Sequence, residues 1–255
     1  MTPPGGQDGE FCPRDRALVF EDPNGTRILY DPGFTVAGPN DPRLGKIDII
    51  LVSHMHGDHA GNAHNKAPNP VTCAEPDVSV SALPNSNSVN IALAKKAKIV
   101  TGSEMPPFFA GKLKANGGDL GKNMKDAGIA GYVGEATGYV VTFSNGLVAY
   151  LSGDTGVTSE QDTVVRGHYK AKLAVINIGD TFTTGPKEAA YVINDLVQPA
   201  SVIPSHANEV ATNDGKILPG TKTETFLKAV KVPAHVPLSG KAMEFDGSGK
   251  CVAGC

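Results

Sequence analysis

The chain has 255 residues, 40% of them hydrophobic and 19% charged, and a formal net charge of −3. That length supports one large domain or two modest ones, and the acidic balance, with no basic run longer than KKAK at Lys95 to Lys98, argues against a nucleic-acid partner. No run of about 18 apolar residues exists to span a bilayer, and MTPPGGQDGEF lacks a charged region followed by an apolar one, so cytoplasm and periplasm both stay open.

In chain order, a Pro- and Gly-rich lead-in gives way at Arg16 to ALVF, the turn DPNG and TRILY, a β-hairpin signal. IDIILV (Ile47 to Val52) is a near-continuous apolar run suited to a strand buried on both faces. SVNIALAKKAK has helical spacing from about Ser88, and KIV before Thr101 predicts a strand. From Asn116 to Gly138 the chain is Gly-rich with little apolar periodicity, predicting loop and one short helix around Lys122 to Ala127. TGYVVTF, the turn SNG and LVAYLSGD form a second hairpin. A helix around Ser159 to Tyr169, the strand KLAVINIG, the helix PKEAAYVINDLV opened by Pro186, the strand ASVIPSH, the helix TKTETFLKAV and a last strand HVPL complete the pattern. Hairpin followed by strand and helix alternation occurs twice, which predicts a layered α/β protein with two mixed sheets inside and helices outside. The two halves fall at roughly 14–136 and 137–250 within a single domain spanning 1–255.

Four cysteines (Cys12, Cys73, Cys251, Cys255) show no CxxC pair and permit disulfides without requiring them. Cys251 and Cys255 lie in a Gly-rich tail and read as peripheral.

The chemistry concentrates in SHMHGDH, Ser53 to His59. It follows a buried strand, where α/β proteins tend to place their sites. Residues two apart in an extended segment project to one side, so His54 and His56 can share an ion. Asp58 and His59, turned away at Gly57, are free to hold a second. Imidazole nitrogen mixed with carboxylate oxygen suits zinc, with manganese or iron as alternatives. Asp154 in SGDTG and His206 in PSHANE are further ligand-type residues at strand ends. Of the remaining histidines, His64 reads as an exposed polar loop residue, His168 as a helix-surface residue, and His235 as structural.

Together these stretches resemble the metallo-β-lactamase-fold hydrolase superfamily, in its lactonase-like branch. SHMHGDHAGN is similar to its HxHxDH signature, LSGDTG to its aspartate motif and IPSHANE to its late histidine motif, and TRILYDPGF matches its early hairpin. The resemblance implies a four-layer αβ/βα sandwich with a binuclear metal site on the edge between the halves. His54 and His56 would hold the first ion, Asp58, His59 and His206 the second, and Asp154 would bridge them. A metal-bridging hydroxide would be the nucleophile, oriented by Asp58 as the catalytic carboxylate. The pattern departs in one respect: the family supplies a third histidine to the first ion from a strand before the aspartate motif, yet none occurs between His64 and His168. The first site is therefore incomplete as written.

Among branches, DPRLGKIDIILVSHMHGDHAGN, NSNSVNIALAKKAKIVTGSEMP and INIGDTFTTGPKEAAYVIN look most like bacterial isothiocyanate hydrolases, which release an amine and carbonyl sulfide. A lactone or β-lactam hydrolase uses the same chemistry and is the alternative. A degenerate module that binds a metal or ligand without catalysis is the alternative from another class. The expected partner is a small-molecule substrate, with no nucleic acid or membrane, and a homodimer is allowed.

Overall fold

The computed structural model describes residues 1–68, 72–73, 76–102, 105–107, 109 and 134–255. The predicted short helix near Lys122 to Ala127, and the Gly-rich stretch as far as residue 133, lie outside the described residues.

The first half forms a four-stranded sheet. β1 (Leu18–Glu21) and β2 (Arg27–Tyr30) pair antiparallel across the DPNG turn, and β3 (Ile49–Val52) then lies parallel to β2. After β3 come α1 (Gly57–Ala60), the two-residue strands β4 (Ala63–His64) and β5 (Val80–Ser81), and α2 (Asn87–Lys95). β6 (Lys98–Thr101) closes the sheet parallel to β3. Ser86 caps α2 by accepting from Val89 N at 3.3 Å, a Ser at the N-cap as helix starts favour.

The second half repeats the plan. β7 (Tyr139–Thr142) and β8 (Val148–Leu151) form a hairpin, followed by a π-type turn of helix, α3 (Gln161–Arg166). β9 (Leu173–Asn177) runs parallel to β8. α4 begins at Pro186–Tyr191 and continues with wider π spacing through Val192–Val197. β10 (Ser201–Ser205) lies parallel to β9 at the edge of this second sheet. A short pair, β11 (Thr212–Asn213) with β12 (Lys216–Ile217), leads to α5 (Lys222–Ala229), capped by Thr221. β13 (Glu244–Phe245) and β14 (Cys251–Ala253) pair at the end.

Three buried clusters define four layers. Leu18, Phe20, Tyr30 and Leu51 meet Leu147, Leu151, Val175 and Ile203 between the sheets. Alternate residues of the first sheet, including Leu29, Ile50 and Val52, pack outward on Val89 and Ile91 of α2. Ala174 and Ile176 pack outward on Val192, Ile193 and Phe226 of α4 and α5. Strands with apolar residues on both faces are what a sheet covered on both sides requires, and IDIILV is explained in this way. Among the described residues no helix is long and apolar enough to cross a membrane.

Two expectations change. HVPL is not a strand: the segment makes one isolated bridge, Val202 to Ala234, with Val202 N donating to Pro233 O and His235 N to Val202 O. Pro237 has no N–H to continue that ladder. His64 is buried rather than exposed, because β4 pairs with β5 and its ring lies against Gly38, with Nδ1 2.8 Å from Asn65 O. The structure joins the cysteines as Cys12–Cys73 and Cys251–Cys255.

Candidate metal centre

Parallel strands place their C-terminal ends on one rim. β2 leads into Asp31, β3 into Ser53 and His54, β8 into Asp154, β9 ends at Asn177, and β10 leads into His206. Each sheet contributes half of the rim, and Tyr139 Oη donating to Val52 O (2.8 Å) and Tyr30 Oη accepting from Gly153 N (3.0 Å) tie the halves together.

Two overlapping groups of ligand-type atoms result, His54 with His59 and Asp154, and Asp58 with His59 and His206; within each, the atoms lie inside 4.8 Å of one another. Asp154 is central. Its Oδ2 is 3.5 Å from His54 Nε2 and 3.2 Å from His206 Nε2, and its Oδ1 is 3.3 Å from His59 Nε2. Asp58 Oδ2 is 3.7 Å from His206 Nε2 and 3.9 Å from His59 Nε2. His56 belongs to neither group. Its ring stands 4.5 Å from that of His54, but the residue is exposed and lines the outer cleft. No histidine stands between His64 and His168 to serve as the family's third ligand to the first ion.

Whether these groups suit a metal can be judged from their unmet polar atoms. His54 Nε2, His59 Nε2, His206 Nε2 and Asp154 Oδ1 are all buried without a hydrogen-bond partner. Orphaned buried polar atoms are costly and rare, and four of them distributed over two overlapping donor groups call for guests there. Ligands at roughly 2.1 Å from one tetrahedral ion stand about 3.4 Å apart, close to the 3.2 to 3.5 Å spacings around Asp154. The donor set therefore fits a borderline divalent cation.

Outer partners hold the donors in place. Asp31, buried, accepts from Ser53 N (2.8 Å) and Ser53 Oγ (2.7 Å) and faces His59 Nδ1 at 2.8 Å. A carboxylate on Nδ1 turns the other ring nitrogen, Nε2, toward the ligand position. Asn177 Nδ2 donates to Ser152 Oγ, Gly153 O and Thr155 O, clamping the loop that carries Asp154. Gly153 itself has φ +55°, and an added Cβ there would stand 2.8 Å from Thr137 O and 2.9 Å from Ser53 Cβ, so the tight loop requires glycine. Arg16, also buried, donates through Nη2 to Asp58 Oδ2 (2.7 Å) and Asn208 Oδ1 (2.6 Å), and lies 3.4 Å from His206 Nδ1.

Electrostatics separate the histidines. Burial, then the neighbouring His59, pushes His54 down to about 4. Burial also lowers His206, with Arg16 adding to it. For His59 burial acts downward, but Asp31 and Asp154 outweigh it and raise the ring to about 9. Burial works to raise both Asp58 and Asp154. Arg16, His59 and His206 nevertheless hold Asp58 below its ordinary value, and the imidazoles of His206 and His59 beside Asp154 hold its carboxyl far below the carboxylate range. Both acids are thus anionic at neutral pH.

Asp31 and Arg16 were not singled out from the sequence. A signal existed for each: an acid directly after the apolar TRILY, and a cation directly before ALVF. Charged residues beside buried strands need partners.

Two chambers adjoin the donors. One of about 10 Å³ is enclosed by Arg16, His59, Asp154, His206 and their neighbours, about the space of one water-sized guest. The other, an open cleft of about 560 Å³, is lined by Arg14, Phe34, His56, Asp58, Asn62, Phe182 and Asn208.

Two sheets in a helix-covered sandwich, with histidines and carboxylates on the rim between them, constitute the metallo-β-lactamase fold. The chain belongs to the metal-dependent hydrolase branch of the beta-lactamase superfamily: the family model for the beta-lactamase superfamily domain matches residues 26–207. A UPF0173 metal-dependent hydrolase of Polynucleobacter asymbioticus is 29% identical over 241 residues, spanning 88% of this chain and 81% of that protein. One from Caldivirga maquilingensis is 34% identical over 201 residues, spanning 72% and 75%. Among solved structures, Igni18, a metallo hydrolase from Ignicoccus hospitalis, aligns over 97% of this chain and 96% of its own with a TM-score of 0.58 at 18% identity. An isothiocyanate hydrolase from Delia radicum gut bacteria aligns over 93% and 98% with a TM-score of 0.53 at 16% identity. At those identities the likeness is one of fold.

Proposed function

We propose that this chain hydrolyses small electrophiles with two zinc ions at the rim, and that its substrate is an isothiocyanate. The observation that carries the hydrolytic reading is the convergence of four buried, unpartnered donor atoms, His54 Nε2, His59 Nε2, His206 Nε2 and Asp154 Oδ1, beside an anionic Asp58. His54 and Asp154 would hold one ion, with His56 at the mouth within reach of it by rotation of its exposed side chain, and Asp58, His59 and His206 would hold the other, His59 offering its one free nitrogen, Nε2, to that ion alone. Bound there, the ions supply Lewis acidity and bring water's pKa down toward about 7.

The protein's own groups do the rest. Asp58, kept ionised by Arg16, orients the attacking water by accepting a hydrogen bond from it. Water oxygen adds to the central carbon of R–N=C=S and one of its protons passes to nitrogen, giving the thiocarbamic acid R–NH–C(=S)–OH; its remaining O–H proton then follows to nitrogen as the C–N bond breaks, leaving R–NH2 and O=C=S. Phe34 and Phe182 give the cleft an apolar wall for the R group. The isothiocyanate assignment rests on the resemblance of the three quoted sequence stretches, and the fold likeness to a solved isothiocyanate hydrolase accords with it.

The test is a panel of isothiocyanates, acyl lactones and β-lactams offered to zinc-loaded protein, with amine and carbonyl sulfide quantified. Stoichiometric release of both from isothiocyanates is expected. Turnover of a lactone or β-lactam alone would replace the substrate, and no turnover with any of the three would overturn the hydrolase reading.

A further inference from the structure

His235, Cys251 and Cys255 form a third group whose ligand atoms lie within 4.8 Å of one another. It stands apart from the rim. His235 N donates to Val202 O near the start of β10, whereas His206 follows its end, so the two are separated by roughly 13 Å of strand at about 3.3 Å per residue. The mechanism makes no use of any of the three residues.

The side chains are held from two directions. The His235 segment is pinned to β10 by backbone hydrogen bonds, and its ring packs edge-on to Phe245 at 5.7 Å. Cys251 starts β14, which pairs with β13, and the hairpin is anchored to β10 by Ser201 Oγ donating to Gly249 O at 2.5 Å. Gly254, at φ +76°, packs so closely on Ala242 that a Cβ would collide with its carbonyl, which turns Cys255 back toward the group. One feature of the group points to a ligand: His235 Nε2 is buried and has no hydrogen-bond partner.

We propose that His235, Cys251 and Cys255 are a second, redox-gated site for a thiophilic divalent cation, Zn²⁺ above all. In the oxidised chain the two sulfurs are joined and offer no thiolate. A dithiol reductant supplies two electrons and two protons, its own thiols becoming a disulfide, and the S–S bond opens to two thiols. Zn²⁺ then displaces the two thiol protons and forms two Zn–S bonds, with the His235 imidazole as third ligand and water as fourth. Tetrahedral Zn–S bonds of about 2.3 Å put the sulfurs about 3.8 Å apart, inside the 4.8 Å envelope already present. Occupied, the site clamps the C-terminal hairpin onto the edge of the second sheet.

In a Cys12→Ser/Cys73→Ser background, where the reductant frees only Cys251 and Cys255, cobalt(II) reads this site selectively, because thiolate ligands give intense near-ultraviolet charge-transfer absorption and the rim has only nitrogen and oxygen donors. The full chain is reduced anaerobically with a non-chelating phosphine and titrated with Co²⁺. One equivalent is expected to develop the thiolate band, to lose it to Zn²⁺, and to show none in the oxidised chain. Cys251→Ser/Cys255→Ser should abolish the band. His235→Ala should weaken Co²⁺ binding roughly tenfold or more, a loss that removal of an outer partner alone can reach, while the metal-free chain keeps the circular dichroism of the parent. No band in the reduced protein, a band surviving Cys251→Ser/Cys255→Ser, or an affinity indifferent to His235→Ala would each overturn the proposal.

Discussion

Asp31→Asn is the substitution that most directly probes how the rim is built. Asp31 accepts three hydrogen bonds, from Ser53 N at Oδ1 and from Ser53 Oγ and His59 Nδ1 at Oδ2. An amide of the same shape has one oxygen and one NH₂, so either of its orientations leaves one N–H facing another. The backbone N–H of Ser53 cannot change, but an imidazole can move its proton; the amide oxygen therefore stays on Ser53 and His59 is driven to carry its proton on Nε2. That is the nitrogen that would face the metal. The loss is one hydrogen bond to a charged group, about 1.5 to 3 kcal/mol, which corresponds to roughly 10- to 150-fold in affinity and overlaps the 10- to 100-fold expected for outer partners of metal-binding histidines. Competition of zinc against a chromophoric chelator measures it, with nitrogen NMR of the imidazole reporting the tautomer. Zinc affinity within twofold of the parent, alongside a lowered Tm, would refute the argument and leave Asp31 a purely structural acid.

Other predictions follow from the same geometry. Because His59 is raised to about 9 while His54 is lowered to about 4, zinc binding at pH 7.5 should release about one proton from His59, and affinity should climb about tenfold per pH unit up to about 9. Calorimetry in two buffers of different ionisation enthalpy counts that proton, and a count of zero would contradict the assignment. In the metal-free chain the same raised pKa contributes stability in full below the unfolded value of 6.5 and loses it as pH rises through about 9; Asp15, pushed up to about 7 by burial, acts in the same direction between about 4 and about 7. His54, lowered to about 4, and His206, also lowered, work in the opposite direction as pH rises toward 6.5 and offset Asp15, so metal-free Tm should fall chiefly between about 6.5 and about 9. Gly153→Ala should cost about 1 to 3 kcal/mol, since a Cβ at positive φ collides with Thr137 and Ser53, and a Tm matching the parent would show that the loop relaxes freely. Asp58→Asn should retain the circular dichroism of the parent while amine release disappears; undiminished turnover would remove Asp58 from its assigned role.

Much of this was legible in the residue pattern because it depends on local chemistry. Apolar runs in IDIILV and KLAVINIG identify strands covered on both faces, and turn residues in DPNG and SNG locate the hairpins. HVPL misled because apolar content says nothing of whether a neighbouring strand and a free N–H are both available. His64 misled because polar neighbours conceal the pairing of β4 with β5 that buries it.

The grouping of donors is a different kind of information. Spacing of two predicted that His54 and His56 would share an ion, but the chain turns into α1 directly after His56 and leaves that ring exposed, while His59 swings inward between Asp31 and Asp154. By itself the sequence determined which elements form and that imidazoles and carboxylates would sit at strand ends, since periodicity and turn chemistry act over a few residues. Only the tertiary structure decided which of them meet. Asp31, Asp154 and His206 reach His59 from 28, 95 and 147 residues away in the numbering, and their convergence exists only once the two sheets stack and bring their strand ends to one rim.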